Sequence, residues 1–240
     1  MSNLGENDRG ARMTFVEEIA LRQSIRLALL TVGLVAAALY ALFLCHRGPG
    51  WGKTIVKAIP MPAFGVAVAV SFGSPVIVGA LALSALGDIA LSRPSRRAFM
   101  VGLVGFALAH VAYIYHFWTL SGGAVTDAWL AVGALLIFAA STEVWLAPFT
   151  GDLKGPARIY VVLITLMGLT ALGLPNAPLA VIGAFAFLAS DTLLALQLFR
   201  MPETSRWHRL TSVLLWVLYV GGQFAILAGV GWATPLFQIW

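Results

Sequence analysis

Gly183-Ala-Phe-Ala-Phe-Leu-Ala-Ser190-Asp191-Thr-Leu-Leu-Ala195-Leu is a helix-compatible apolar run with an aspartate set well inside it. The flanks stay apolar for more than a turn on either side, so Asp191 does not read as a solvated surface group. In a bilayer an ionisable side chain at such depth costs a few kcal/mol or more and marks a functional site by default. Ala184, Phe187, Asp191, Leu194 and Ala195 fall on one stripe of the helix. The small Ala184 and Ala195 on that stripe would let neighbouring backbones approach the carboxylate.

The surrounding composition sets the medium. Of 240 residues, 60% are hydrophobic and 10% charged, and the mean hydropathy is +0.91. A soluble domain carries about a quarter charged residues, so this chain reads as an integral membrane protein, of one domain by its length. The apolar runs are long and lack period-2 alternation. That favours helices over a lipid-facing barrel, hence an all-α, polytopic bundle. The single cysteine, Cys45, excludes an intrachain disulfide. The formal charge of +5 comes from a few residues, mostly in connections. No basic stripe is interleaved with aromatics, which argues against a nucleic-acid partner.

About 20 apolar residues cross a hydrocarbon core. On that ruler eight spans are expected, near 26–45, 54–72, 75–92, 98–118, 126–147, 157–174, 178–199 and 209–231. Residues 1–25 precede them as a polar tail and a short interfacial helix. In that helix Phe15, Ile19 and Leu21 oppose Glu17, Glu18 and Arg22. No basic segment followed by a small-residue cleavage site is seen, so no cleaved signal peptide is expected. The membrane domain is then 26–240. Gly and Pro mark the connections, as in Gly73-Ser-Pro75 and Pro175-Asn-Ala-Pro178.

Lys and Arg fall in alternate connections: Arg47 and Lys53; Arg93, Arg96 and Arg97; Lys154 and Arg158; Arg200, Arg206 and Arg209. The positive-inside rule would place these on the cytoplasmic side of an inner (plasma) membrane and both termini outside. Arg9, Arg12, Arg22 and Arg26 pull the other way. Trp207, Trp232 and Trp240 read as interfacial anchors, and Glu143 as an interfacial residue.

Polar groups recur inside the spans: Lys57, Asp88, His110 with Tyr113, Tyr160, Ser190 with Asp191, and Tyr219 with Gln223. Counted by depth, they are expected to meet in one cavity biased toward the basic connections. Each also has a plain reading. The aspartates can be structural, Lys57 can snorkel to the interface, and His110 and the tyrosines can serve as interhelical hydrogen-bond donors. A zinc site is disfavoured because His110 has no second intramembrane histidine beside it. Gly87-Asp88-x-x-Leu91 echoes Ser190-Asp191-x-x-Leu194 four spans later, as in a parallel repeat.

Several short pieces, in order, resemble the YhhN family, also called the lysoplasmalogenase family. They are Lys57-x-x-x-Met61-Pro62, Ser84-x-x-Gly87-Asp88 and Gly102-x-x-x-Phe106-x-x-x-His110-x-x-Tyr113. Tyr160, Gly183-Ala184-x-x-Phe187-x-x-Ser190-Asp191-x-x-Leu194-Ala195 and Tyr219-x-x-x-Gln223 complete the set, with Leu218 where a second tyrosine is common. The resemblance implies a multipass protein that hydrolyses the vinyl-ether bond of lysoplasmalogens to a fatty aldehyde and a glycerophospho-alcohol. It implies a single-chain lysophospholipid substrate among membrane lipids and no cofactor or metal. Vinyl-ether cleavage asks for a protonated acid and an ionised group beside the resulting cation, as in glycosidases. Asp88 and Asp191 are the expected pair, with Asp191 the deeper and the acid. His110, Tyr113, Tyr219 and Gln223 are expected to position water and the ether oxygen, Tyr160 and Ser190 to line the site, and Lys57 to hold the partner carboxylate or the lipid phosphate. A proton-coupled or small-solute transporter is the competing class, since paired intramembrane acids and the Pro60/Pro62 interruption suit it too.

Overall fold

The computed structural model describes residues 15–123, 127–202 and 204–232, and these are helical with short connections. The helices are α1 (Phe15–Leu39), α2 (Trp51–Ala58), α3 (Pro60–Val70), α4 (Pro75–Leu91), α5 (Arg96–Ser121), α6 (Trp129–Trp145), α7 (Lys154–Leu172), α8 (Pro178–Phe199) and α9 (His208–Ile226). A wider π-type turn prolongs α1 over Tyr40–Leu44 and α9 over Leu227–Gly231.

Among the described residues seven segments have the length and apolarity of a membrane span, with α2 and α3 counted together over Trp51–Val70. Pro60 lacks an N–H, so α2 stops at Ala58; Ile59 keeps helical dihedrals and the chain runs on in the same direction. The eighth apolar segment, α4, is shorter, at 17 residues. It nonetheless runs the height of the bundle, from Ser74 beside His116 to Arg93 beside Gly50.

The short interfacial helix expected before residue 26 is not a separate element. Residues 15–39 form one helix. Its Arg22 is held both by its own helix and by the end of α3. Arg22 donates to Glu18 one turn earlier at 2.7 Å and to the Val70 carbonyl at 3.1 Å, and it lies over the Phe72 ring at 4.3 Å. The expected polar tail before residue 14, and Trp240, lie outside the described residues.

The basic connections gather at one end. Arg93 reaches the Gly50 carbonyl, Arg96 lies 3.4 Å from Asp152, and Arg200 covers the Phe149 ring at 3.7 Å. The opposite end joins the α3–α4 turn, α5 and the end of α9. There His116 contacts Ser74 and donates to the Val230 carbonyl at 3.2 Å. Arg22 and Arg26 belong to this second end, Arg26 lying 5.2 Å from the Trp232 ring. The alternation read from the sequence is therefore a real division of the bundle.

Two helix pairs are packed backbone to backbone. Between α8 and α9, a Cβ on Gly183 would lie 2.6 Å from the Gly222 carbonyl, and one on Gly222 would lie 2.8 Å from the Gly183 carbonyl. Between α4 and α5 the approach is close but looser: a Cβ on Gly105 would lie 3.1 Å from the Leu83 carbonyl and 3.4 Å from the Gly87 nitrogen. Without hydrophobic drive inside a bilayer, such close backbone approach is what holds helices together. In contrast, α6 packs chiefly on α7. Its outer stripe, Leu130, Ile137 and Val144, is bare at seven-residue spacing, as a lipid-facing surface should be.

Candidate functional site

The polar side chains converge where the two tight pairs meet, near the basic end. Asp88, one turn from the end of α4, is 1% exposed. Its Oδ1 lies 3.1 Å from Lys57 Nζ of α2, and its Oδ2 accepts from the Tyr219 hydroxyl of α9 at 2.7 Å. Both oxygens thus have donors, one of them a cation. This is how an ionised carboxylate is kept in a buried place. Lys57 does not run free to the interface; it is held against Asp88 and sits 5.9 Å from the Trp216 ring.

Asp191 is held differently. Its Oδ2 accepts from the Tyr160 hydroxyl of α7 at 2.6 Å and lies 3.5 Å from His110 Nε2 of α5. No lysine or arginine pairs with it among the described residues. His110 is fully buried, and its Nδ1 lies 2.7 Å from the Phe106 carbonyl. A carbonyl only accepts, so Nδ1 carries hydrogen and Nε2 is the atom aimed at Asp191. A bare Nε2 lone pair facing an ionised carboxylate would be repelled. One proton on either partner removes that repulsion; at 3.5 Å the approach falls short of a hydrogen bond, and among the described residues His110 Nε2 has no hydrogen-bond partner.

Two hollows adjoin these groups. A polar vestibule of about 490 Å³ at the basic end is lined by Lys57, Asp88, Ser190, Asp191 and Tyr219, together with Arg93. On the other side of α8, an apolar crevice runs between α5, α6, α7 and α8, and Tyr160 and Asp191 are on its wall. Phe106, Asp191 and Leu194 border both. Asp191 therefore stands at the seam between a polar and an apolar space.

The nine expected site residues fall into neighbouring groups, Lys57–Asp88–Tyr219, His110–Asp191–Tyr160 and Tyr113–Gln223, with Ser190 bonded apart from them, and not all of them reach a surface a ligand can touch. His110 lines neither hollow and lies behind Asp191, Tyr160 and Phe106, which do. Tyr113 and Gln223 are also set beneath. The Tyr113 hydroxyl donates to Gln223 Oε1, and Gln223 Nε2 donates to Ser84 Oγ at 3.1 Å. Their expected part in positioning water or the ether oxygen thus becomes a structural one, because depth along a helix does not say whether a side chain faces a hollow or a neighbouring helix. Ser190 lines the vestibule, but its hydroxyl donates to the Leu215 carbonyl and ties α8 to α9. Phe106 and Phe187 pack edge-on to Tyr219, at 5.6 and 5.4 Å between centroids, and stiffen the floor.

Sequence reasoning passed over Arg93, counting it only as a loop charge. It follows Asp88 by five residues at the end of the same helix, which was the available signal. Among the described residues no three His, Cys, Asp or Glu side chains converge as metal ligands would.

A helical membrane bundle with two buried acids, one of them at the seam of two hollows, is the class that fold and site define. The YhhN family model matches residues 52–230, about three-quarters of the chain, and the protein belongs to that family. No curated protein and no solved structure matches it.

Proposed function

We propose that the protein hydrolyses the vinyl-ether bond of a single-chain ether lysophospholipid, releasing a fatty aldehyde and a glycerophospho-alcohol. The observation that carries this reading is Asp191, a carboxyl without a cation, in contact with His110 and Tyr160, at the border of an apolar crevice and a polar vestibule. An amphiphile whose labile bond joins a chain to a polar head places that bond at such a border. Family membership agrees with the reading and does not by itself fix the substrate.

The chemistry follows from the two carboxyl environments. Asp191, in its protonated form, delivers its proton to the β carbon of the vinyl ether. The double-bond electrons form the new C–H bond, and positive charge moves to the α carbon and the ether oxygen. Asp88, ionised between Lys57 and Tyr219, faces the same vestibule and stabilises that charge. Water adds to the α carbon and gives a proton back to Asp191, forming a hemiacetal. Protonation of the ether oxygen and loss of the hemiacetal hydroxyl proton then split the C–O bond into aldehyde and alcohol. One water is consumed, and Asp191 ends as it began. His110 is a positioning residue that shares the proton with Asp191.

The test is aldehyde release from an alkenyl lysolipid by purified protein in detergent, followed by mass spectrometry. Turnover that disappears in Asp191→Asn supports the proposal. Intact lysolipid, together with gradient-dependent solute uptake in vesicles, would replace it with a transporter.

A further inference from the structure

We propose that the vestibule and the crevice form a single amphiphile site, with an anionic phosphate head group on Arg93 and one hydrocarbon chain in the α5–α8 crevice. The proposal rests on the hydrolase reading for the bond that reacts, but not for the binding itself.

The charge argument singles out Arg93. Lys57 is spent on Asp88, Lys53 donates to the Cys45 and Arg47 carbonyls, and Arg96 lies beside Asp152. Arg93 lines the vestibule and pairs with no carboxylate among the described residues. One guanidinium nitrogen is held by the Gly50 carbonyl and Thr54 Oγ1, and the group stacks 4.2 Å from the Trp51 ring. Its Nε is buried without a partner. A guanidinium fixed in plane, with unused donors, fits a tetrahedral phosphate better than it fits solvent.

The chain argument rests on the second hollow. The crevice wall is almost wholly apolar, with Leu103, Phe138, Trp145, Ile164 and Leu188 among its residues. From Leu188 to Phe199 on α8 it extends roughly 16 Å, at ~1.5 Å of rise per residue. Its enclosed volume is about 90 Å³, room for only a few methylenes, so the rest of the chain would lie in the opening toward the bilayer between α5 and α6. Its outer wall is α6, which packs chiefly on α7, and Phe99, Leu103 and Phe138 are only partly covered. A chain can therefore enter sideways from the bilayer between α5 and α6, while its head stays in the vestibule beyond Asp191.

The experiment uses the full-length protein and a saturated alkyl-ether lysophospholipid, which cannot be hydrolysed by vinyl-ether protonation, carrying a photoreactive diazirine at the chain end. Labelled peptides should come from α6 and the facing part of α5; labelling confined to α1 or α9 would overturn the proposal. In parallel, Arg93→Gln should weaken binding of this lipid about tenfold or more, the range for a charge-assisted contact. Binding of the phosphate-free alkylglycerol should be unchanged, and equal weakening of both would overturn the head-group assignment. Leu103→Trp, which fills the slot and leaves the vestibule intact, should exclude long chains and spare short ones. Binding needs no bond cleavage, so a protein that binds as described yet releases no aldehyde would refute the hydrolase reading alone.

Discussion

Asp88 and Asp191 occupy corresponding places on two tightly packed helix pairs, α4–α5 and α8–α9. Each reaches across to the other pair: Asp88 accepts from Tyr219 of α9, and Asp191 contacts His110 of α5. From there their surroundings diverge. Asp88 has a lysine on one oxygen and a hydroxyl on the other, and it is closed off but for 1% of its surface. Asp191 has a hydroxyl and an imidazole by the same oxygen, no lysine or arginine beside it among the described residues, and a side chain 10% exposed. Two similarly placed acids thus differ in their partners, one paired with a cation and the other with neutral groups. The difference teaches that the partner of a buried acid, more than its depth, decides what the acid can do.

The largest effect expected from breaking this comparison is at Asp191. Asp191→Asn keeps the shape and the Tyr160 contact but carries no transferable proton. Turnover should fall by ~10²–10⁴, the usual weight of general acid catalysis, with thermal stability in detergent little changed. Asp88→Asn should behave in the opposite sense for stability. It strands Lys57 in a place where the lysine side chain is 15% exposed, and removing one partner of a buried pair costs about 3–5 kcal/mol. Lys57→Met added to Asp88→Asn should recover much of that stability and none of the activity. If the double variant turns over substrate at the parental rate, Asp88 is structural and the charge-stabilising role assigned to it fails.

Much of this contrast was legible before any coordinates. Asp191 stood out because its flanks are apolar for more than a turn, and Asp88 because the same short pattern recurs four spans earlier. The gathering of basic connections at one end followed from their alternation. What could not be read was helix rotation. Tyr113 and Gln223 lie at the right depth, yet they face each other and Ser84, because depth is set by sequence position and facing is set by which backbones fit together. The Gly183–Gly222 approach that fixes that rotation involves residues from distant parts of the chain, and only one of the two glycines lay in a motif singled out beforehand. The crevice was invisible for a related reason, since it exists where α6 fails to pack closely on α5.

His110 gives a smaller and more discriminating effect. His110→Gln removes the imidazole and leaves Asp191 with Tyr160. Because His110 touches no hollow, KM should stay near the parental value while kcat drops by about tenfold, within the span of acid–base assistance. The pH–rate profile should also change shape, since proton sharing between the two groups is lost. A purely structural histidine would lower stability and leave the profile as it was.

The smallest effect separates the network under the site from the site itself. Tyr113→Phe removes one hydroxyl, leaving Gln223 Oε1 without its donor in a fully buried place. An unmet buried acceptor costs ~1–3 kcal/mol, so the unfolding midpoint should fall. Gln223 Nε2 still holds Ser84, and neither aspartate loses a contact, so kcat and KM should both remain parental. Tyr160→Phe is the matched control, because that hydroxyl is bonded to Asp191 itself at 2.6 Å. It should lower kcat several-fold with a similar loss of stability. Equal kinetic effects from the two tyrosines would mean that the hydrogen bonds beneath the floor also set the proton on Asp191, and the division between a reacting half and a supporting half would then have to be redrawn to include Gln223.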